Sequence, residues 1–412
     1  MGLRVVSLPP TYYDFVQKLR PYVIELAEQD ANDLQRTGRV SEPVHSVDDY
    51  ASRFAECFNE LDRQLIADAM ARTGLPMEEV ERIFPDARAT ARTQFAGLYK
   101  CVNHEYHCIV NFALAGKKAF HFSDNLSQHL ANTEVNVKAS LVQLPFAACL
   151  FTFTSRAVID AMHNIRGDAG RWDMNTVGLD YDAPVSAFLT MHGPRDGLLG
   201  RKLIVVAWHA RPPIKSYIML KRELYLADDW TLEQSLRTDW ETLTPEAVGR
   251  GLFIDTGEDT IQACDDDKFY TDGLSFYRII LNAILYLSSD GVELTKHLSP
   301  RGEAEAKARA IPSVPKRRKA LQAAARYSYL DYQNVGASVG AIVVQPDAET
   351  RTPSGARSTG SQPLVRFMVR GHWRYQPHGE GNLGRKLIWI QPHYKGPDMA
   401  TLINRPYVVK GG

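Results

Sequence analysis

Leu274-Ser275-Phe276-Tyr277-Arg278-Ile279-Ile280-Leu281-Asn282-Ala283-Ile284-Leu285-Tyr286-Leu287 is apolar nearly all the way round, the pattern of a helix buried on every side. Such a helix needs layers around it, and the chain upstream offers them. Runs at Leu144–Phe153, Val185–His192, Lys202–Trp208 and Ser216–Leu226 follow one another at hairpin spacing, separated by Gly/Pro turns. They predict an antiparallel sheet, with helices over Leu232–Leu243 and Gly273–Ser288 packed on it. Further upstream, Tyr12–Glu28, Tyr50–Ala69 and Pro76–Lys100 space their apolar residues at three and four, with a break at Pro85. Asp48 and Asp49 stand where a helix N-cap is wanted, and Gly74 supplies a stop. The fold class that follows is α+β: an N-terminal helical region, a central antiparallel sheet with packed helices, and a C-terminal basic β-hairpin. The divisions are an acidic helical region over 1–100, an α+β core over 101–297, a linker, basic helix and flexible loop over 298–363, and the hairpin over 364–412.

The chain has 412 residues, 44% of them apolar and 23% charged, an ordinary globular composition large enough for two or three domains. No run approaches the roughly 18 uncharged apolar residues of a membrane span, and the start lacks a secretory core. Five cysteines, odd in number and far apart, point away from a disulfide scaffold and towards a reducing cytoplasm. The zero net charge conceals an asymmetry. After residue 297 there are 18 Lys/Arg against 7 Asp/Glu; taken from totals of 48 and 48, these leave 30 against 41 before it. A basic end beside an acidic body reads either as a nucleic-acid footprint or as one part docking on the other.

The basic end concentrates in Gly371-His372-Trp373-Arg374-Tyr375-Gln376-Pro377-His378-Gly379 and Gly384-Arg385-Lys386-Leu387-Ile388-Trp389-Ile390-Gln391-Pro392-His393-Tyr394-Lys395-Gly396-Pro397. Rings, imidazoles and cations are interleaved there with almost no acid to neutralise them, the composition of a site for something anionic. Arg374, Arg385, Lys386 and Lys395 are the candidates to meet phosphates, and Trp373, Tyr375, Trp389 and Tyr394 to stack on bases. His372 and His393 are candidate acid–base groups, with Arg374 as charge stabiliser. In an extended segment His372 and Arg374 share one face while Trp373 and Tyr375 share the other, so the indole is expected to meet the core.

Two further patterns carry expectations. Cys101, His104 and Cys108 would converge on a helix as a three-ligand zinc set, but the apolar flanks Ile109–Leu114 and Ala119–Phe122 read as strand and no second ligand pair follows. The cluster is therefore expected to bind no metal. The hexapeptide Leu199–Ile204 recurs identically as Leu383–Ile388, each copy followed five residues later by a histidine, His209 and His393. By chance such a match is expected on the order of once in several hundred chains of this length, so a duplicated hairpin is in view, with two cationic hairpins flanking one cleft. Asp265-Asp266-Asp267 reads as a solvated acidic turn, 299–315 as linker, Lys316-Arg317-Arg318-Lys319 as the basic start of a helix to about Tyr329, and 167–184 and 346–363 as loops.

The segment Gly371-His372-Trp373-Arg374…Gly384-Arg385…Trp389-Ile390-Gln391-Pro392-His393-Tyr394-Lys395-Gly396-Pro397, with Leu144-Pro145-Phe146 and Leu281–Leu287, resembles a family of uncharacterised bacterial and phage proteins often borne on mobile elements. The resemblance implies a mobile-element setting, a single functional unit joining 140–290 to the hairpin, and no particular activity. No Walker loop, Rossmann fingerprint, Gly-x-Ser-x-Gly elbow or His-Glu-x-x-His is present, which leaves any cofactor unspecified. The leading expectation is a cytoplasmic nucleic-acid-binding protein with nucleic acid or nucleotide as partner. The alternatives are an enzyme of phosphate substrates, such as a nuclease or nucleotide-modifying toxin using His372 and Arg374, and a structural protein with a protein partner.

Overall fold

The computed structural model describes residues 11–44, 50–83, 87–163, 183–194, 200–210, 217–241, 252–255, 266–324, 330–342, 344–345 and 367–395. Asp48 and Asp49, the loops over 167–182 and 346–363 and the stretch to Tyr329 lie outside them. Among the described residues no helix is long and apolar enough to cross a membrane.

The fold is α+β. Helices α1 (Tyr12–Leu19), α2 (Pro21–Thr37), α3 (Ala51–Thr73), α4 (Met77–Ile83), α5 (Ala87–Gln94) and α6 (Ala96–Leu114) come first. Strands β1 (Ala119–Phe122), β2 (Ala148–Phe153), β3 (Val185–His192), β4 (Gly200–Ala210), β5 (Tyr217–Ala227) and β6 (Leu252–Asp255) then alternate with α7 (Asp124–Ala131), α8 (Arg156–His163) and α9 (Leu232–Glu241). After them come α10 (Asp266–Leu287), β7 (Leu294–His297), α11 (Pro300–Arg309), α12 (Val314–Ala324) and β8 (Tyr332–Val335). The eight strands form one sheet in the order β6-β5-β4-β3-β2-β1-β8-β7. The expected antiparallel sheet is correct over β2 to β6, but β1 pairs parallel with both β2 and β8, so the whole is mixed. The cause is α7, which lies between β1 and β2 in the chain and lets the second strand return in the same direction.

Strand alternation divides the sheet between two cores. Cys149, Phe151, Phe153, Leu203, Val205 and Ala207 face α7, α8, α9 and α10; Leu150, Ile204, Val206 and Trp208 face α1, α2 and α6. A sheet covered on both faces needs apolar residues at consecutive positions, and Ala148–Phe153 is buried throughout. The all-round apolar α10 is buried from Leu274 to Tyr286 except at Ser275 and Arg278, as its composition requires.

Four local expectations are corrected. The predicted helix Tyr12–Glu28 is two helices: Pro21 has no N–H, Arg20 leaves helical geometry at φ −134°, and the kink turns its guanidinium inward onto Glu105. Ile109–Leu114 is helix, not strand, because α6 lays a nineteen-residue apolar face across the sheet; only Ala119–Phe122 is strand. Residues 300–309 are helix rather than linker: Ser299 caps α11 by accepting from Gly302 N, and alternating Ala, Glu and Lys are strong helix formers. Finally, α10 begins at Asp266, so Asp266 and Asp267 form its first turn and Gly273 lies inside it.

On α6 the residues Cys101, His104 and Cys108 do fall on a helix, yet Cys101 Sγ accepts from Trp208 Nε1 at 3.2 Å and lies 3.4 Å from the Tyr12 hydroxyl. Burial raises the Cys57 thiol to about 12 and the Cys108 thiol further. Among the described residues no group of three His, Cys, Asp or Glu could hold a metal ion.

A cationic ribbon as candidate functional site

The terminal hairpin is a two-stranded ribbon, β11 (His372–His378) and β12 (Gly384–Ile390), closed by a turn in which Gly379 and Gly381 take φ of 80° and 65°. Glycine is the residue that reaches those angles without cost. The register pairs His372 with Ile390, Trp373 with Trp389, Arg374 with Ile388, Tyr375 with Leu387, Gln376 with Lys386 and Pro377 with Arg385. Cross-strand partners share a face. One face therefore carries His372, Arg374, Gln376, His378, Lys386, Ile388 and Ile390; the other carries Trp373, Tyr375, Arg385, Leu387 and Trp389.

The second face is anchored at its base. Trp373 is buried, and its indole N–H donates to Asn282 Oδ1 at 2.8 Å. The Asn282 amide, fully buried in the apolar α10, donates in turn to Leu130 O at 2.9 Å and Thr133 O at 2.8 Å. Trp389 stacks on Trp373, meets Tyr286 edge-on and donates to Thr133 Oγ1 at 3.2 Å. The backbone completes the attachment: Gly371 N donates to Asn132 O at 2.9 Å, and Glu134 N to Gly371 O at 2.8 Å. A Cβ at Gly371 would come within 2.5 Å of Thr133 Oγ1 and 2.9 Å of Ile390 O, so no side chain fits there. On the β12 side, Lys386 Nζ reaches Asp290 Oδ2 at 3.0 Å, an ion pair between the basic end and the acidic body.

Beyond this anchor the ribbon projects. Tyr375, Gln376, Pro377, His378 and Gly379 are exposed, Leu383 is 90% exposed, and Arg385 is exposed on β12. His372 and Arg374 are exposed on one face, and neither makes a hydrogen bond or ion pair among the described residues. The strands carry no Asp or Glu. Trp373 is thus committed to the body and Trp389 is partly buried against it, which leaves Tyr375, 48% exposed, as the open aromatic of the ribbon. His393, Tyr394 and Lys395 lie elsewhere, in β13 (His393–Lys395), which pairs antiparallel with β10 (Phe367–Val369) and parallel with β9 (Val344–Gln345). His393 stands opposite Val369, in a different sheet from His372 and Arg374.

The repeated hexapeptide has a structural counterpart. In both hairpins the lysine faces the residue ten positions before it, Lys202 opposite His192 and Lys386 opposite Gln376, the common register that a duplicated strand–turn–strand unit requires. The environments differ. Arg201 donates to the carbonyls of Val142, Ala139 and Ser140, Lys202 pairs with Glu223 at 2.8 Å, and His209 is buried beside Ala183 O. Among the described residues the first copy's cations are thus already engaged, Arg201 by carbonyls and Lys202 by Glu223, which leaves them little to offer a second ligand.

Sequence reasoning missed Asn282, Thr133, Gly371 and Asp290. One signal was legible: a lone asparagine in an apolar helix must find partners for its amide, and Asn282 finds three. What the ribbon can do chemically is present cations and imidazoles to a ligand from a rigid base.

The model of one family, AcrVA2-like, described as the anti-CRISPR type V subtype A2 family, matches residues 120–394. The match begins in β1 and ends in β13, covering both the sheet and the ribbon. No curated protein and no solved structure matches the chain. The match spans well over half of the sequence, so this chain belongs to the anti-CRISPR type V subtype A2 family, a phage-related setting of the kind its terminal motif resembles.

Proposed function

We propose that this protein counters a type V CRISPR system by engaging nucleic acid through the β11–β12 ribbon. The observation that carries the reading is the combination of a buried base and projecting strands that carry cations and imidazoles and no acid, the one acid of the ribbon being Glu380 in its turn: Trp373 and Trp389 fix the ribbon, and Arg374, Arg385, His372 and His378 are held out from it. A flexible cationic tail would lose conformational entropy on binding, whereas an anchored ribbon has already lost it. A two-stranded ribbon also matches the width of a nucleic-acid groove, with Tyr375 placed to stack on an unpaired base. The cations supply phosphate contacts, which favour nucleic acid over a particular sequence.

Binding to RNA and DNA oligonucleotides, followed by fluorescence anisotropy across a salt series, tests this. About three phosphate contacts predict a log–log slope near −2 to −3. Arg374→Glu with Arg385→Glu should remove binding while leaving the unfolding midpoint unchanged. A flat salt response, or full affinity in the double variant, would instead favour a protein component of the CRISPR system as the partner.

A further inference from the structure

A cavity of about 690 Å³ opens at the edge of the sheet, lined by residues of α1, the α6–β1 turn, the approach to β2, β7, α11 and β8, and by none of the ribbon. That volume lies within the range of small-molecule sites. Its apolar lining includes Phe120, Phe146, Leu294 and Tyr332, and its rim bears Lys117, Lys118 and Lys296.

Two acids also line the cavity: Asp331, which stays charged, accepts on Oδ1 from Ser299 N at 2.8 Å and Ser299 Oγ at 2.7 Å at the start of α11, and Glu305 reaches Arg309 at 3.4 Å. Lys117 is paired with Glu28. Lys118 and Lys296 make no ion pair among the described residues. The Lys118 ammonium sits 5.3 Å from the centroid of the Phe146 ring, and that ring is 39% exposed. A large aromatic left in water, beneath one unneutralised ammonium and sharing a cavity with a second, is poorly explained by core packing.

The turn that delivers Lys118 is also costly. Gly116 has φ 77° and Lys117 φ 54°, and Lys117 is the one non-glycine residue with left-handed backbone among the described residues. Such a conformation is disfavoured for a residue with a Cβ. It is held by the hydrogen bond from Lys117 N to Phe112 O at 2.8 Å, while Leu150 N donates to Lys118 O at 2.9 Å and fixes the next residue to the sheet. The fold thus maintains strain where it sets the rim of this cavity.

We propose that the cavity binds a nucleotide, with the base on Phe146 and the phosphate taken by Lys118 and Lys296. The flat ring and the anion are both needed to satisfy what the cavity exposes. The same chemistry is offered by a free mononucleotide and by the 5′-phosphorylated end of a strand. This site is independent of the ribbon and stands whether or not the ribbon binds nucleic acid.

Isothermal titration with AMP, adenosine and a 5′-phosphorylated RNA trinucleotide provides the test. AMP, the trinucleotide or both should bind, and adenosine at least about tenfold more weakly than AMP wherever AMP binds. Lys118→Ala, Lys296→Ala and Phe146→Ala should each weaken binding about tenfold, the size expected of one charge-assisted contact or one stacked base. Lys296 stands on an exposed strand, so its variant keeps the test valid if Phe146→Ala fails to fold. Binding of AMP or the trinucleotide that persists in the Arg374→Glu, Arg385→Glu variant, whose ribbon no longer takes RNA, belongs to this site. AMP binding without the trinucleotide identifies a free nucleotide as the ligand; the reverse identifies a strand end. Absence of binding by both at millimolar concentration, or binding that survives both lysine changes, overturns the proposal.

Discussion

Trp373→Phe should cost the protein about 2–4 kcal/mol, far more than a conservative aromatic exchange on a terminal hairpin would suggest. The indole N–H is the sole hydrogen-bond partner of Asn282 Oδ1 among the described residues, and Asn282 has no exposure to water. Phenylalanine keeps most of the ring but strands that oxygen, and a buried acceptor without a donor costs about 1–3 kcal/mol. The smaller ring leaves a void against Trp389 and the core, which adds about 1 kcal/mol. Urea unfolding, with the slope unchanged, measures the sum. The mechanism is isolated by repeating the exchange in an Asn282→Leu background, where no acceptor remains to be stranded. There the cost should fall to about 1 kcal/mol, a coupling of about 1–3 kcal/mol. A cost below about 0.5 kcal/mol, or an equal cost in both backgrounds, would refute the idea that this hydrogen bond anchors the ribbon.

His372→Ala and Arg374→Ala, both exposed, should each shift stability by less than about 0.5 kcal/mol in the same assay while weakening nucleic-acid binding. Arg20→Met should destabilise by about 3–5 kcal/mol, because it leaves Glu105 charged and buried; adding Glu105→Met should recover most of the loss, and thermal melts of the parent and the two variants decide it. Burial lowers His121 from 6.5 to about 4, with a smaller lowering contribution from His297 that the Asp124 charge and the Thr152 hydrogen bond oppose. The neutral imidazole thus contributes stability that is full above pH 6.5 and lost as pH falls towards 4. Between pH 7.5 and 5 this loss amounts to about 2 kcal/mol, and urea midpoints of parent and His121→Asn should differ in pH dependence by that amount.

The outline of the fold was legible because burial writes itself into spacing. The all-apolar Leu274–Leu287 had to be a central helix, and Val185–His192 appears as a strand with those bounds. Errors arose where two structures share one local signature. Ile109–Leu114 is an apolar run that suits strand or helix, and only its place in a nineteen-residue element lying across a sheet resolves it. The 300–309 helix was hidden because its residues contribute almost no core, and its pattern is one of helix propensity and a serine cap.

The sequence by itself determined the chemistry of the ribbon: the cations and imidazoles, the scarcity of acid and the alternation that sets Trp373 against Arg374 are all local properties of an extended chain. Tertiary structure decided which of those groups remain available. Trp389 is drawn in by Tyr286 and Thr133, and Lys386 is met by Asp290. The cations of the first hexapeptide copy are absorbed by carbonyls and Glu223, so identical residues end with different partners. The reason is physical: side-chain type sets what a residue can bind, but long-range packing sets what it has already bound, and no spacing within one strand encodes a partner a hundred residues away.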